Sequence, residues 1–288
     1  MHLSAAGTGW TILLAAIICV LAAGCTDTAG PGTGEDGIIV AVSILPQESF
    51  VNAVAGSRAH VVVLIPPGAN PATYEPTADQ IAGLSRAGLY CTVGSGLPFE
   101  EVYLPRLAAA NPSMLIVNTS SGITLIDGDP HVWTSPANAA AMAASTAEAL
   151  ARIDPANAAL YTDNARRYGE RLEDLDGEIR AVLAGLPSRT FIVYHPSWGY
   201  FARDYDLEQV AIEDSGKDPS PAHLAAVIDR ARAENSTVII ANPQFSRRAC
   251  EVIAAQINAT VIERDPLSPE YERELLLLAR TIAGEVTA

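Results

Sequence analysis

Residues 154–186 read DPANAALYTDNARRYGERLEDLDGEIRAVLAGL. Within them Tyr161, Ala165, Tyr168, Leu172, Leu175, Ile179 and Leu183 recur at three- and four-residue spacing, one continuous apolar stripe on a single helical face. Asp154-Pro155 opens the segment, and proline is tolerated in a first turn. If wholly helical, residues 155–184 span about 45 Å. A coiled coil is the rival reading, but the stripe covers only about four heptads and lacks a sustained flanking charge pattern. So long a helix divides the chain.

Working outward, short apolar runs alternate with helical stretches on both sides. Before it, strands are expected at 38–42, 61–65, 89–93 and 115–117, with helices at 47–55, 78–87 and 137–153. After it, strands are expected at 190–194, 209–212, 237–241 and 260–262, with helices at 200–204, 221–233, 247–257 and 270–281. Runs such as Ile38-Ile39-Val40-Ala41-Val42 are apolar on both faces, as in strands of a covered parallel sheet. The alternation predicts an α/β fold, two βα lobes with parallel sheets joined by one long backbone helix. The corresponding boundaries are 38–154, 155–186 and 187–288.

Residues 10–23 form an apolar run ending in Leu21-Ala22-Ala23-Gly24-Cys25. This reads as a lipoprotein-type export signal, residues 1–24, cut before Cys25, whose thiol is then acylated. The alternative is an uncleaved signal anchor, since no Lys or Arg precedes the run. Residues 25–37 are Gly-, Thr- and Asp-rich and make a flexible tether. Either reading places the rest outside the cytoplasmic membrane, at a cell surface or in a periplasm, and a monomer is expected. Cys91 and Cys250 read as buried free thiols, with a disulfide as the alternative. The net charge of −15 argues against nucleic acid as a partner.

Three segments place metal-ligand residues beside a proline: Asp129-Pro130-His131, Tyr194-His195-Pro196 and Arg264-Asp265-Pro266. Two imidazoles and a carboxylate suit a borderline divalent cation. His195 and Asp265 each follow an expected strand, and parallel α/β proteins gather ligands at the carboxyl ends of strands. Asp129 is positioned to fix the tautomer of His131 as an outer-shell acceptor. His60 reads as surface, and His223 lies in the first turn of a helix.

With Gly68-Ala69-Asn70-Pro71-Ala72-Thr73-Tyr74-Glu75-Pro76, these segments resemble the zinc/manganese-binding substrate-binding lipoproteins of ABC metal importers, an adhesin-like metal-receptor family. The resemblance extends from Ile38 to the end of the chain. It implies two lobes joined by a helix running the length of the molecule, and Zn2+ or Mn2+ as the transported ligand. An ABC permease with its ATPase is the implied partner, and the membrane is reached through a lipid anchor. It assigns His131, His195 and Asp265 as metal ligands. The family places a histidine where Ala72 stands and often a glutamate at Asn242, and many zinc members carry a histidine-rich insert absent here. Glu75 is the possible substitute ligand.

The leading expectation is therefore an extracytoplasmic receptor that delivers a divalent metal to an ABC importer, and not an enzyme. A degenerate relative serving adhesion or another interaction is the alternative, motivated by Ala72 and Asn242. A zinc hydrolase with Glu75 as base is the third reading, but no oxyanion or further acid/base feature accompanies it.

Overall fold

All seven stripe residues, Tyr161 to Leu183, are buried on one face of a single helix of 26 residues, entered through a short 3-10 turn at Pro155–Asn157. Burying each Leu or Ile stabilises by about 1.5–3 kcal/mol. That outweighs the roughly 1 kcal/mol cost of a helical glycine, so Gly169 and Gly177 do not break the helix. The computed structural model describes residues 37–214 and 216–285. The expected export signal, Cys25 and all but the last tether residue lie outside them.

In chain order the elements are β1 (Ile38–Val42), α1 (Leu45–Ala55), β2 (Ala59–Val63), α2 (Ala78–Gly83), β3 (Leu89–Thr92), α3 (Pro98–Ala110), β4 (Leu115–Asn118), α4 (Pro136–Ile153) and the long α5 (Ala158–Leu183). There follow β5 (Thr190–Val193), α6 (Gly199–Asp204), β6 (Glu208–Ala211), α7 (Pro221–Ala233), β7 (Val238–Ala241), α8 (Arg248–Ile257), β8 (Thr260–Glu263) and α9 (Tyr271–Ile282). The first sheet has the order β2-β1-β3-β4 and the second β6-β5-β7-β8. Every strand pair is parallel. The expected α/β architecture is thus present, with one strand order used twice. Each order reverses direction beside its first strand, and such switch points leave a crevice at the strands' carboxyl ends.

Ala139, Ala143 and Ala147 lie on the buried face of α4, and small side chains there let it pack closely along α5. The α9 helix returns to the first lobe: the Tyr271 ring meets Phe50 edge-on at 5.0 Å, and Arg171 of α5 pairs with Glu272 at 2.6 Å. One large core therefore runs through the first lobe, α5 and α9, and a smaller one lies within the second sheet. Cys91 and Cys250 are buried and free, one in each core.

Several element ends shift, α1 starting at Leu45 and α2 ending at Gly83, and two further differences are instructive. The β2 strand starts two residues earlier than the apolar run suggested, because Ala59 and His60 pair with Ile38 and Ile39 at the sheet edge, where burial leaves no imprint on sequence. The α3 helix was not among the expected elements. Its first turn is fixed by Glu100, whose carboxylate accepts from the backbone N–H groups of Val93 (2.6 Å) and Gly94 (2.9 Å) and from the Ser43 hydroxyl. Gly94, at φ 76°, is required there: a Cβ would lie 1.9 Å from Asn118 Oδ1.

The Asp154 carboxylate closes α4 and accepts from Tyr161 Oη at 2.6 Å and Asn157 Nδ2 at 2.7 Å. The Tyr161 bond leads in holding its pKa below the ordinary value. A depressed pKa gives stability that is complete above the unfolded value, about 3.9, and that is lost as pH falls through the folded value. Asp154→Asn is expected to cost about 1 kcal/mol at neutral pH and to flatten the acid limb of stability. Urea unfolding across pH reads this directly.

Candidate metal centre

The β5 strand ends at Val193, and two residues later the chain turns at His195-Pro196. The His195 backbone N–H donates to Asn242 Oδ1 (3.2 Å), and Asn242 Nδ2 donates to Ser197 Oγ (3.3 Å). Asn242 follows β7 and is buried. The residue that departed from the family pattern thus braces the His195 turn across the second sheet's switch point. The imidazole stacks on Phe245 at 4.8 Å. Glu213 Oε2 lies 2.8 Å from His195 Nδ1, close enough to pair but off the line of an N–H bond.

His131 sits between β4 and α4, just before a 3-10 turn at Val132–Thr134. Ser135 caps α4 by accepting from the Asn138 N–H, and Asn138 Nδ2 holds the Val132 carbonyl at 3.0 Å. Asp129 Oδ1 accepts from both the backbone N–H (2.9 Å) and Nδ1 (2.8 Å) of His131. The Nδ1 proton is thereby fixed, and the Nε2 lone pair is left for a ligand. Burial is the main effect on this imidazole and lowers its pKa against the pull of Asp129. The downward shift favours the neutral imidazole, the form that coordinates metal.

The two imidazoles, one from each lobe, stand 5.2 Å apart between ring centroids at 74°. Both line a cavity of about 850 Å³, which Ala72 and Glu213 also line. Asp265, the third expected ligand, does not line that cavity and is differently engaged. Its Oδ1 accepts from Gln244 Nε2 (2.7 Å) and the Leu267 N–H (2.9 Å), and it borders a second, much smaller space with Trp198 and Glu274. Its successors Pro266 and Leu267 face the large cavity. Glu75 is exposed and does not line the cavity. Among the described residues, no group of three or more His, Cys, Asp or Glu side chains is drawn together as a metal cluster. His60 is exposed in β2, and His223 Nε2 lies 3.1 Å from the Ala211 carbonyl.

Glu213 escaped the sequence reading. It follows β6 by two residues and is 7% exposed. The strand-end criterion that singled out His195 applies equally to Ile212-Glu213, so the signal was present.

The lobes are fastened around this site. Trp133 Nε1 donates to the Pro266 carbonyl (2.7 Å), and Tyr271 Oη donates to the Trp133 carbonyl (2.6 Å). Tyr200 Oη accepts from the Ile126 N–H (2.9 Å) and donates to the Asp129 carbonyl (3.2 Å). Asp129 Oδ2 lies against Gly199, where a Cβ would come within 2.1 Å of it. Gly199→Ala must displace the carboxylate that orients His131. Zinc affinity is expected to fall about 10- to 100-fold with the fold retained, as calorimetry and circular dichroism would record.

Residues 40–281 match the protein family described as the periplasmic component A of the zinc-uptake complex, ZnuA. The high-affinity zinc uptake system protein ZnuA of Bacillus subtilis (strain 168) is 28% identical over 279 residues, covering 88% of this chain and 86% of that protein. The manganese-binding lipoprotein MntA of Halalkalibacterium halodurans is 30% identical over 229 residues, 74% of each chain. A crystal structure of ZnuA superposes with a TM-score of 0.84 at 40% identity, covering 86% of this chain and 99% of that one.

Proposed function

Since this chain belongs to the family of periplasmic zinc-uptake components, we propose that its interlobe cavity captures a divalent transition metal through the Nε2 atoms of His131 and His195. At the family level it is a solute-binding protein for zinc or manganese uptake through an ABC importer, and not an enzyme. The observation that carries the site assignment is the paired arrangement of two imidazoles, each with a carboxylate at Nδ1, facing one another across the lobes. This donor set fits zinc, manganese or ferrous iron.

Asp265 is the third donor in this reading, once Gln244 Nε2 releases its Oδ1. Glu75 would reach the metal only if the Ala72 loop moved inward. We further propose that residues 1–24 direct export and that Cys25 carries the lipid, with 25–37 as tether to lobes spanning 38–154 and 187–288. The partner is then a permease with its ATPase, met at the membrane surface. Titration of the metal-stripped protein with zinc and with manganese tests the receptor. One equivalent bound, and lost in His131→Ala, is the expected result. A folded protein that binds neither ion sinks the reading and favours the degenerate-relative alternative.

A further inference from the structure

We infer that the physiological occupant is not a bare cation but a metal already carrying one small zwitterionic chelator, such as an amino acid, whose donors complete the coordination that Ala72 leaves open. The inference rests on the receptor reading above and names the substrate class of the same site.

Three observations converge. First, the donors are two imidazoles with Asp265 as a third, whose Oδ1 is engaged by Gln244 and the Leu267 N–H, so the protein supplies three at most. Zinc and its neighbours take at least four ligands, so positions remain that this chain does not fill. The loop that reaches the cavity from the first lobe brings the methyl group of Ala72 there, its backbone turned by the bond from the Ala72 N–H to Asn70 Oδ1 at 2.8 Å.

Second, the cleft around the imidazoles has room for more than an ion. Zinc–ligand bonds are about 2.0–2.3 Å, so a fully protein-coordinated cation needs almost no free volume. The cavity holds about 850 Å³, within the roughly 300–1,000 Å³ of small-molecule pockets. Its walls include the apolar faces of Leu97, Trp133, Phe245 and Leu267. Such walls suit the carbon skeleton of an organic ligand.

Third, charge selects among chelators. Among the described residues, Asp127, Asp129, Glu208 and Glu213 line the cavity with one arginine, Arg203; Glu208 is paired with Arg230 at 2.6 Å and Arg203 with Asp204 at 2.7 Å, so the lining stays net acidic. A polycarboxylate complex with net negative charge is repelled there. A divalent metal with one amino acid in its anionic form keeps a net positive charge and is attracted.

The test is calorimetry of the metal-stripped protein with zinc alone, with equimolar zinc and L-histidine, and with zinc and citrate, together with native mass spectrometry. The expected result is binding at least about tenfold tighter with histidine than without, and a ternary species of one protein, one zinc and one histidine. Ala72→His is expected to raise affinity for zinc alone and to abolish the gain from histidine. Histidine that only competes for zinc, with tight binding of the free ion, overturns the chelate and leaves the receptor standing. An equal gain from citrate overturns the assignment of a cationic complex. Failure to bind in every condition, including by a folded Ala72→His variant, removes receptor and chelate together.

Discussion

Replacing His195 by alanine is expected to weaken zinc binding more than about 100-fold. Loss of a neighbour that merely orients a ligand costs about 10- to 100-fold, and loss of the donor itself costs more. The residue is held by Asn242 at its backbone and Phe245 against its ring, with Glu213 Oε2 2.8 Å from Nδ1. None of these supplies a nitrogen in its place. The companion variant Glu213→Ala leaves the donor but frees the ring, so a smaller loss, about 10- to 100-fold, is expected. Calorimetry with zinc on both variants gives the comparison. Equal affinities in wild type and His195→Ala would dismiss the paired imidazoles as the binding site.

The largest effect on stability is expected at Trp133. This side chain is 1% exposed, and its Nε1 holds the Pro266 carbonyl from the opposite lobe. Truncation to alanine opens a large cavity and strands a buried carbonyl, at a cost of about 3–5 kcal/mol. Urea unfolding should show the shift in midpoint. Trp133→Phe separates the two contributions, since it keeps most of the volume and loses only the bond, at about 1–3 kcal/mol. If the alanine variant lost no more than the phenylalanine one, packing would not be what holds the lobes together here.

Much of this was legible where burial follows a period. The stripe from Tyr161 to Leu183 matched the buried face residue for residue, because a long helix packed along one side must repeat its apolar positions. The two parallel sheets were legible for a related reason, since strands covered on both faces appear as unbroken apolar runs. The α3 helix went unassigned although Pro98 opens it at a position proline favours, because the bonds that fix its first turn, donated by the Val93 and Gly94 N–H groups to Glu100, appear only in the fold. At the site, His131 and His195 were recognisable from their turns. The proximity of Glu213 to His195 was not, because the two residues follow neighbouring strands and only the parallel register of β5 and β6 brings the strand ends together. The same holds for Asn242. Its sequence position marked a missing carboxylate, and only the fold reveals the amide as a brace.

The bonds that tie Trp133, Tyr271, Tyr200 and Asp129 across the lobes, with α5 behind them, leave little room for a closing motion. A receptor that shuts only slightly presents nearly the same silhouette with its cargo as without it. A permease that recognises outline would then dock vacant and laden copies alike, and every vacant copy becomes a competitive inhibitor of import. Uptake in such a system peaks at an intermediate receptor abundance, and surplus receptor throttles the importer it serves.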